Sequence, residues 1–198
     1  GFCDVIFGWD IADVLYDNGE ATGWHTGYPD VHAKLDSDSF RVLPSEPNTA
    51  NFLVDFWIDH KTPHPACPRN LLKTVTARAR AAGYAPHCSA EFEFFIFRET
   101  PQSLRDKGFR NLAPLSPGMF GYSWVREGQH ADLIEDVLDQ MAGYDIDIEA
   151  MHTETGPGVY ECAIRHSDPL RAADMAGLFK TTIKILCARP GLCVTFMA

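Results

Sequence analysis

The chain has 198 residues, of which 45% are apolar, 22% charged and 12% aromatic, a balance that can bury a core in one or two domains and excludes intrinsic disorder, collagen and low-complexity polymers. Lys and Arg total 17 against 27 Asp and Glu, a net charge of −10, and no basic cluster with interleaved aromatics occurs, so nucleic acid is not an expected partner. The acidic excess instead makes divalent cations natural ligands wherever carboxylates converge.

In chain order, residues 3–7, 14–16, 40–43 and 51–58 read as short strands, punctuated by Gly8, Asn18-Gly19, Gly27-Tyr28-Pro29 and Pro44. Pro63, Pro65 and Pro68 then exclude a helix interior or a central strand and mark a connector. This predicts an N-terminal β-rich domain over 1–65 and a second domain over 66–198. From Pro68 the spacing turns helical, with Leu71, Leu72, Val75 and Ala79 on the inward face and Ala82-Gly83 as the stop. A strand is predicted over 87–97, and a helix over 131–143 with Leu133, Ile134, Val137, Leu138 and Met141 inward. Two strands over 146–154 and 159–165 follow, then a long helix from Pro169 carrying Leu170, Met175, Leu178, Ile183 and Leu186, and a last strand after Pro190-Gly191. The fold class expected is α+β.

The six cysteines show no CxxC spacing and read as reduced residues of a cytoplasmic protein. The N-terminal residues have no leader pattern, and no apolar run reaches the ~18 to 20 residues of a membrane span. The missing initiator Met and the apolar end at Phe196-Met197-Ala198 predict a piece of something longer. His60, His64 and Cys67 have zinc-like spacing, but they lie in the proline-stiffened connector without a fourth ligand, and a solvated loop is expected there. Trp9, Trp24, Trp57 and Trp124 are read as core or subunit-contact residues, and Arg69 receives no role.

Chemistry concentrates in two segments. Glu91 and Glu93 sit two apart in an apolar strand pattern, on one face and ~6 to 7 Å apart. The flanking Phe92, Phe94, Phe95, Ile96 and Phe97 predict burial on both sides, where bound cations would offset the cost of two carboxylates; a solvated face is the alternative. In His152-Thr153-Glu154-Thr155-Gly156-Pro157-Gly158-Val159-Tyr160-Glu161, the Gly-Pro-Gly turn in a symmetric register sets Glu154 opposite Glu161, while a slip of one residue would turn them to opposite faces. Four glutamates as hard oxygen donors suit Mg2+ or Mn2+ better than zinc, and a pair of such ions commonly serves phosphoryl chemistry.

The order and spacing of Glu91-Phe-Glu93, His152-Thr-Glu154 and Gly158-Val-Tyr-Glu161 resemble the glutamine synthetase family. The resemblance extends to Phe7-Gly8-Trp9-Asp10, to Pro68-Arg69, and to Lys184 through Val194-Thr195-Phe196-Met197. It implies a small β-grasp-like N-terminal domain, followed by part of a catalytic domain with a curved antiparallel sheet. It further implies two Mg2+ or Mn2+ ions, with Glu93, Glu154 and Glu161 holding the ion nearest glutamate, Glu91 helping to hold the ion on the ATP phosphates, and His152 beside those phosphates. The implied reaction joins ammonia or an amine to the γ-carboxylate of glutamate through γ-glutamyl phosphate at the expense of ATP. The implied assembly is a cytoplasmic ring of identical subunits with sites between them.

Two departures shape the expectation. The chain stops before the family's remaining active-site segments, so it is expected to be inactive alone. Residues 22–30, with Trp24, Tyr28 and Asp30 as candidate acceptor-loop residues, replace the Asp-Gly-Ser-Ser type segment of ammonia-using members, which points toward the branch making γ-glutamyl-polyamines. A noncatalytic relative keeping only the fold is the third reading, and retention of all four glutamates argues against it.

Overall fold

The computed structural model describes every residue except 8–11, 13, 16, 18, 47 and 198. Gly8, Trp9 and Asp10 of the N-terminal motif therefore lie outside the described residues, as do Tyr16 of a predicted strand and Asn18 of a predicted turn. The chain forms two compact units, residues 1–41 with 50–86 and residues 42–49 with 87–198.

In the first unit, β1 (Phe2–Cys3), β2 (Asp30–Leu35) and β5 (Val54–Trp57) make an antiparallel sheet in the order β1-β2-β5; β3 (Arg41–Val42) and β4 (Ala50–Asn51) are two-residue strands, and Val42 of β3 falls in the second unit. Only the start of the strand expected over 3–7 is extended, because a 3-10 turn takes Asp4–Phe7. Helix α1 (Pro68–Ala81) opens with Pro at its first position, where the missing N–H costs nothing. Its inward face differs from the prediction: Leu71 and Val75 are 61% and 50% exposed, while Thr76 is buried. Arg69 explains the rotation, since its guanidinium donates to Asp55 at 2.5 Å and Asp36 at 2.9 Å, and Lys73 also pairs with Asp55. Burying that ion network turns Leu71 and Val75 outward.

The Arg69 guanidinium holds the Asp36 carboxyl below its ordinary value, first through the hydrogen bond. The resulting stability is complete above the ordinary carboxylate pKa and is lost as pH falls through the lowered one. Arg69→Ala is expected to cost about 2–3 kcal/mol at neutral pH, less than a fully buried pair because Lys73 remains. Urea unfolding at pH 7 and pH 3 checks this, since the difference between variant and parent should shrink at the lower pH.

The connector is the exposed loop that its prolines suggest, His60 included, except at two positions. His64 is 3% and Cys67 1% exposed, because the His64 N–H donates to the Phe56 carbonyl at 3.0 Å and the Cys67 sulfur accepts from the Phe56 N–H at 3.4 Å. Burial pushes the His64 imidazole pKa down.

The second unit contains β6 (Glu91–Phe97), α2 (Pro101–Asp106), α3 (Trp124–Gly128), α4 (Ala131–Gly143), β7 (Ile148–Thr153), β8 (Val159–Ile164), α5 (Pro169–Ala188) and β9 (Cys193–Thr195). Its sheet is antiparallel in the order β7-β8-β6-β9. Phe94 and Ile96 of β6 with Tyr160, Cys162 and Ile164 of β8 meet Val137 and Met141 of α4 and Met175, Phe179 and Ile183 of α5 in one core. Of the predicted stripes, Val137, Met141, Met175, Ile183 and Leu186 are buried, Leu133, Ile134 and Leu178 pack partly buried against the core, Leu170 is half-buried, and Leu138 is 39% exposed.

The α+β class expected from the sequence is what the two units show. All six cysteines are free, with Cys67, Cys162 and Cys187 buried. Trp24 and Trp124 are 67% and 87% exposed, which removes both from the core. Among the described residues no helix is long and apolar enough to cross a membrane.

Candidate metal centre

Alternation along β6 sends Phe94 and Ile96 into the core and leaves Glu91 and Glu93 on the opposite, exposed face. The expectation of burial on both sides is corrected here: α4 and α5 cover one face of the strand only. On that open face Glu161 of β8 stands directly opposite Glu93 of β6 on one side and opposite His152 of β7 on the other.

The hairpin register also differs from the symmetric one. The Glu154 N–H donates to the Val159 carbonyl at 3.0 Å, which shifts the pairing by two residues and places His152, rather than Glu154, opposite Glu161. A shift of two preserves the parity of the strand, so Glu154 stays on the Glu161 face as its diagonal neighbour. One ligand atom from each of His152, Glu154 and Glu161 lies within 4.8 Å of the others.

The turn depends on Gly158. Its φ is +73°, and a Cβ there would stand 2.6 Å from the Ile96 carbonyl oxygen and 3.0 Å from the Leu115 nitrogen, both backbone atoms that cannot swing away. Gly158→Ala is expected to destabilise the chain by at least about 2 kcal/mol, from left-handed strain plus the clash. Thermal unfolding checks this, with Gly177→Ala as the control because a Cβ there meets open space.

Electrostatics mark the same cluster. The Glu161 carboxyl is raised to about 7, first by its hydrogen bond with the Glu91 carboxyl, then by burial and by the Glu91 charge, with His152 opposing the rise. Glu154 is held below its ordinary value by the Thr155 N–H, which donates at 2.6 Å, then by the Thr155 and Tyr122 hydroxyls. Glu91, Phe92, Glu93, Glu161 and Phe196 line an open cavity of about 600 Å³.

Tyr122 is the site residue that sequence reasoning missed. Its ring stacks on His152 at 4.5 Å between centroids, and the neighbouring Glu154 carboxylate raises its phenol pKa. It is held there by its own N–H on the Thr153 carbonyl at 2.6 Å, by the Ser123 N–H on Thr153 Oγ1 at 2.9 Å, and by Glu127, which accepts the Thr153 N–H at 2.9 Å. The only local signal is the surrounding glycines and prolines of a loop, which carry no periodicity.

The structure thus joins Glu91, His152, Glu154 and Glu161, with Glu93 opposite Glu161. The candidate acceptor-loop residues belong to the first unit, where Trp24 and Tyr28 pack edge to face at 5.2 Å and Asp30 begins β2, exposed.

A family model described as the glutamine synthetase catalytic domain matches residues 65–198. The match begins ahead of α1, although that helix groups with the first compact unit. The chain is 46% identical over its whole length to type-1 glutamine synthetase 2 of Dictyostelium discoideum, covering 38% of that protein. It is 35% identical over 195 residues to glutamate–isopropylamine ligase of a Pseudomonas species, covering 98% of this chain and 42% of the relative. A solved structure of GmaS without ligand aligns with a TM-score of 0.73 at 26% identity, over 85% of this chain and 38% of that one. Fold and matches together define a catalytic domain of the kind found in ligases. The chain belongs to the glutamine synthetase family, and it spans about two fifths of the length of the curated relatives it matches.

Proposed function

We propose that the chain carries part of the active site of an ATP-dependent ligase that joins an amine to the γ-carboxylate of glutamate, using two Mg2+ or Mn2+ ions. The observation that carries this reading is the convergence of His152, Glu154 and Glu161 within 4.8 Å, with Glu91 on the same strand face, two residues along β6 from the partner of Glu161. A carboxyl raised to about 7 by another carboxyl beside it is what a site for positive charge looks like before that charge arrives. Three carboxylates and one imidazole with no thiolate fit hard divalent ions.

In this reading Glu93, Glu154 and Glu161 hold one ion, Glu91 helps to hold the second, and His152 faces the nucleotide phosphates. When bound, such ions neutralise charge on the phosphoryl group in transfer. Tyr122 and the Thr155 N–H hold Glu154 ionised and oriented, and the backing of β6 and β8 by the core fixes the spacing of Glu91, Glu93 and Glu161. The γ-phosphoryl of ATP passes to the glutamate side-chain carboxylate with release of ADP. The amine nitrogen then attacks the acyl phosphate, and phosphate leaves as the amide forms with loss of one proton.

An acceptor larger than ammonia is favoured by the 22–30 loop and by relatives named for isopropylamine, ethanolamide and polyamine products or substrates. Glutamine formation is the second reading, favoured by the 46% identity to a type-1 glutamine synthetase. Assembly into a ring of identical subunits belongs to the same proposal, as does a cytoplasmic location, which six free cysteines suit. The test is ADP release by a chain extended to the length of its relatives, given glutamate and ammonia, isopropylamine, ethanolamine or a polyamine. Release that needs Mn2+ or Mg2+ and an amine, and falls more than about a hundredfold in Glu161→Ala, is expected. Release indifferent to every acceptor overturns the reading.

A further inference from the structure

Alternation along β7 and β8 puts Met151 and Tyr160 on the face opposite His152 and Glu161. There, between α3 and the start of α4, Trp124, Glu127, Ile134, Glu135, Met151 and Tyr160 line a separate cavity of about 230 Å³. The Tyr160 side chain is 1% exposed, and its hydroxyl has no hydrogen-bond partner among the described residues. A buried hydroxyl left unpaired is costly, and native structures supply such a group with a partner from protein, water or ligand.

The remaining wall chemistry says what that partner carries. Most of the lining is apolar, from Ile134, Met151 and the rings of Trp124 and Tyr160, so the body of the occupant is apolar. Glu127 uses Oε1 on Thr153, and neither Glu127 nor Glu135 forms an ion pair among the described residues. Two carboxylates and an exposed indole with no cation between them favour a positive head group, through charge and through the ring face. The volume admits a molecule of roughly ten heavy atoms and no more than a part of a nucleotide.

We propose that this cavity binds a small organic ammonium compound, its apolar body between Trp124, Ile134 and Met151 and its charged nitrogen toward Glu127, with a polar atom meeting the Tyr160 hydroxyl. The site is distinct from the carboxylate face and does not depend on the ligase reading. Because Glu127 also anchors Thr153, which lies between His152 and Glu154 in the chain, the cavity is a place from which the metal face can be adjusted.

The test titrates 2-phenylethylammonium into the chain by calorimetry in the presence of a chelator, with 2-phenylethanol as the neutral probe of the same shape. Saturable binding with a Kd of about 0.1–1 mM is expected for the ammonium, and at least about tenfold weaker binding for the alcohol. Glu127→Gln keeps an acceptor for Thr153 while removing the charge, and Tyr160→Phe removes only the hydroxyl. Each is expected to weaken binding about three- to tenfold with the fold intact by circular dichroism, whereas Glu161→Ala leaves it unchanged. No saturable binding in the parent chain, which would leave the hydroxyl to an ordered water, overturns the proposal. Equal affinity for the alcohol overturns the cationic class. Binding unaffected by Glu127→Gln, or lost in Glu161→Ala, places the ammonium elsewhere and also overturns it; since Glu127→Gln alone decides this, failure of Tyr160→Phe to fold leaves the test standing.

Discussion

Mn2+ binding to this chain is expected to weaken about tenfold as the pH falls from about 8 to about 6, because the Glu161 carboxyl, raised to about 7, must lose its proton before it can ligate. The sign for stability without metal is the reverse. A carboxyl whose folded pKa lies above its ordinary value binds more protons in the folded state between the two values, so its contribution to stability falls as pH rises through that window. Glu161→Gln, fixed in the uncharged form, is therefore expected to stabilise the metal-free chain at about pH 8, to flatten this part of the pH dependence, and to bind Mn2+ far more weakly. Burial lowers the His64 and His130 pKa values and gives an opposite slope near pH 6, which the comparison of parent and variant subtracts. Removing two ligands at once, Glu154→Ala with Glu161→Ala, should reduce Mn2+ affinity by more than about a hundredfold, beyond what loss of a supporting residue costs. Calorimetry at both pH values reads these effects directly. Unchanged affinity in a folded double variant would remove Glu154 and Glu161 from the metal set.

The largest loss of stability is expected at Phe179. It is fully buried on α5, stacked on Phe92 at 5.3 Å and 9° between planes, edge-on to Phe94 at 6.0 Å, and within 6.4 Å of Phe196. Phe179→Ala empties the centre of the layer beneath β6, and a cost of about 3–5 kcal/mol is expected from urea unfolding. Leu71→Ala, on the outward face of α1, should stay within about 0.5 kcal/mol. Phe92 separates Glu91 from Glu93, and Phe196 lines their cavity, so the same cavity in the core should also loosen the carboxylates. A second, smaller drop in Mn2+ affinity for folded Phe179→Ala, of about three- to tenfold, would register that coupling. A cost below about 1 kcal/mol would mean that the aromatic layer does not carry the unit.

What could be read from residue order alone was whatever repeats over a few positions. A period near 3.6 placed α4 and α5 and their buried stripes, and a period of 2 put Glu91 and Glu93 on one face whatever lay above it. The order of Glu-x-Glu, His-x-Glu and Gly-x-x-Glu pointed to the family that the sequence match then established. Same-face membership of Glu154 and Glu161 was also legible, since a shift of two residues preserves it.

Other features rest on contacts between distant residues, about which local pattern is silent. Apolar spacing in α1 suited an inward Leu71 and Val75, yet Arg69 and Lys73 pair with Asp36, just past β2, and Asp55 of β5, and these ion pairs rotate that helix. Strand β2, the centre of the first sheet, was missed because only Val31 of its apolar residues is buried. The partner of Glu161 was decided by the hydrogen bond from Glu154 to Val159, which sets the turn and brings His152 into place. Tyr122 reaches the same cluster from a loop about thirty residues earlier, through bonds to Thr153 that exist only once β7 has been laid beside it. Periodicity reports which face a side chain takes within its own element; register, helix rotation and loop docking are chosen by the free energy of pairing between elements, and that is set when the chain closes on itself.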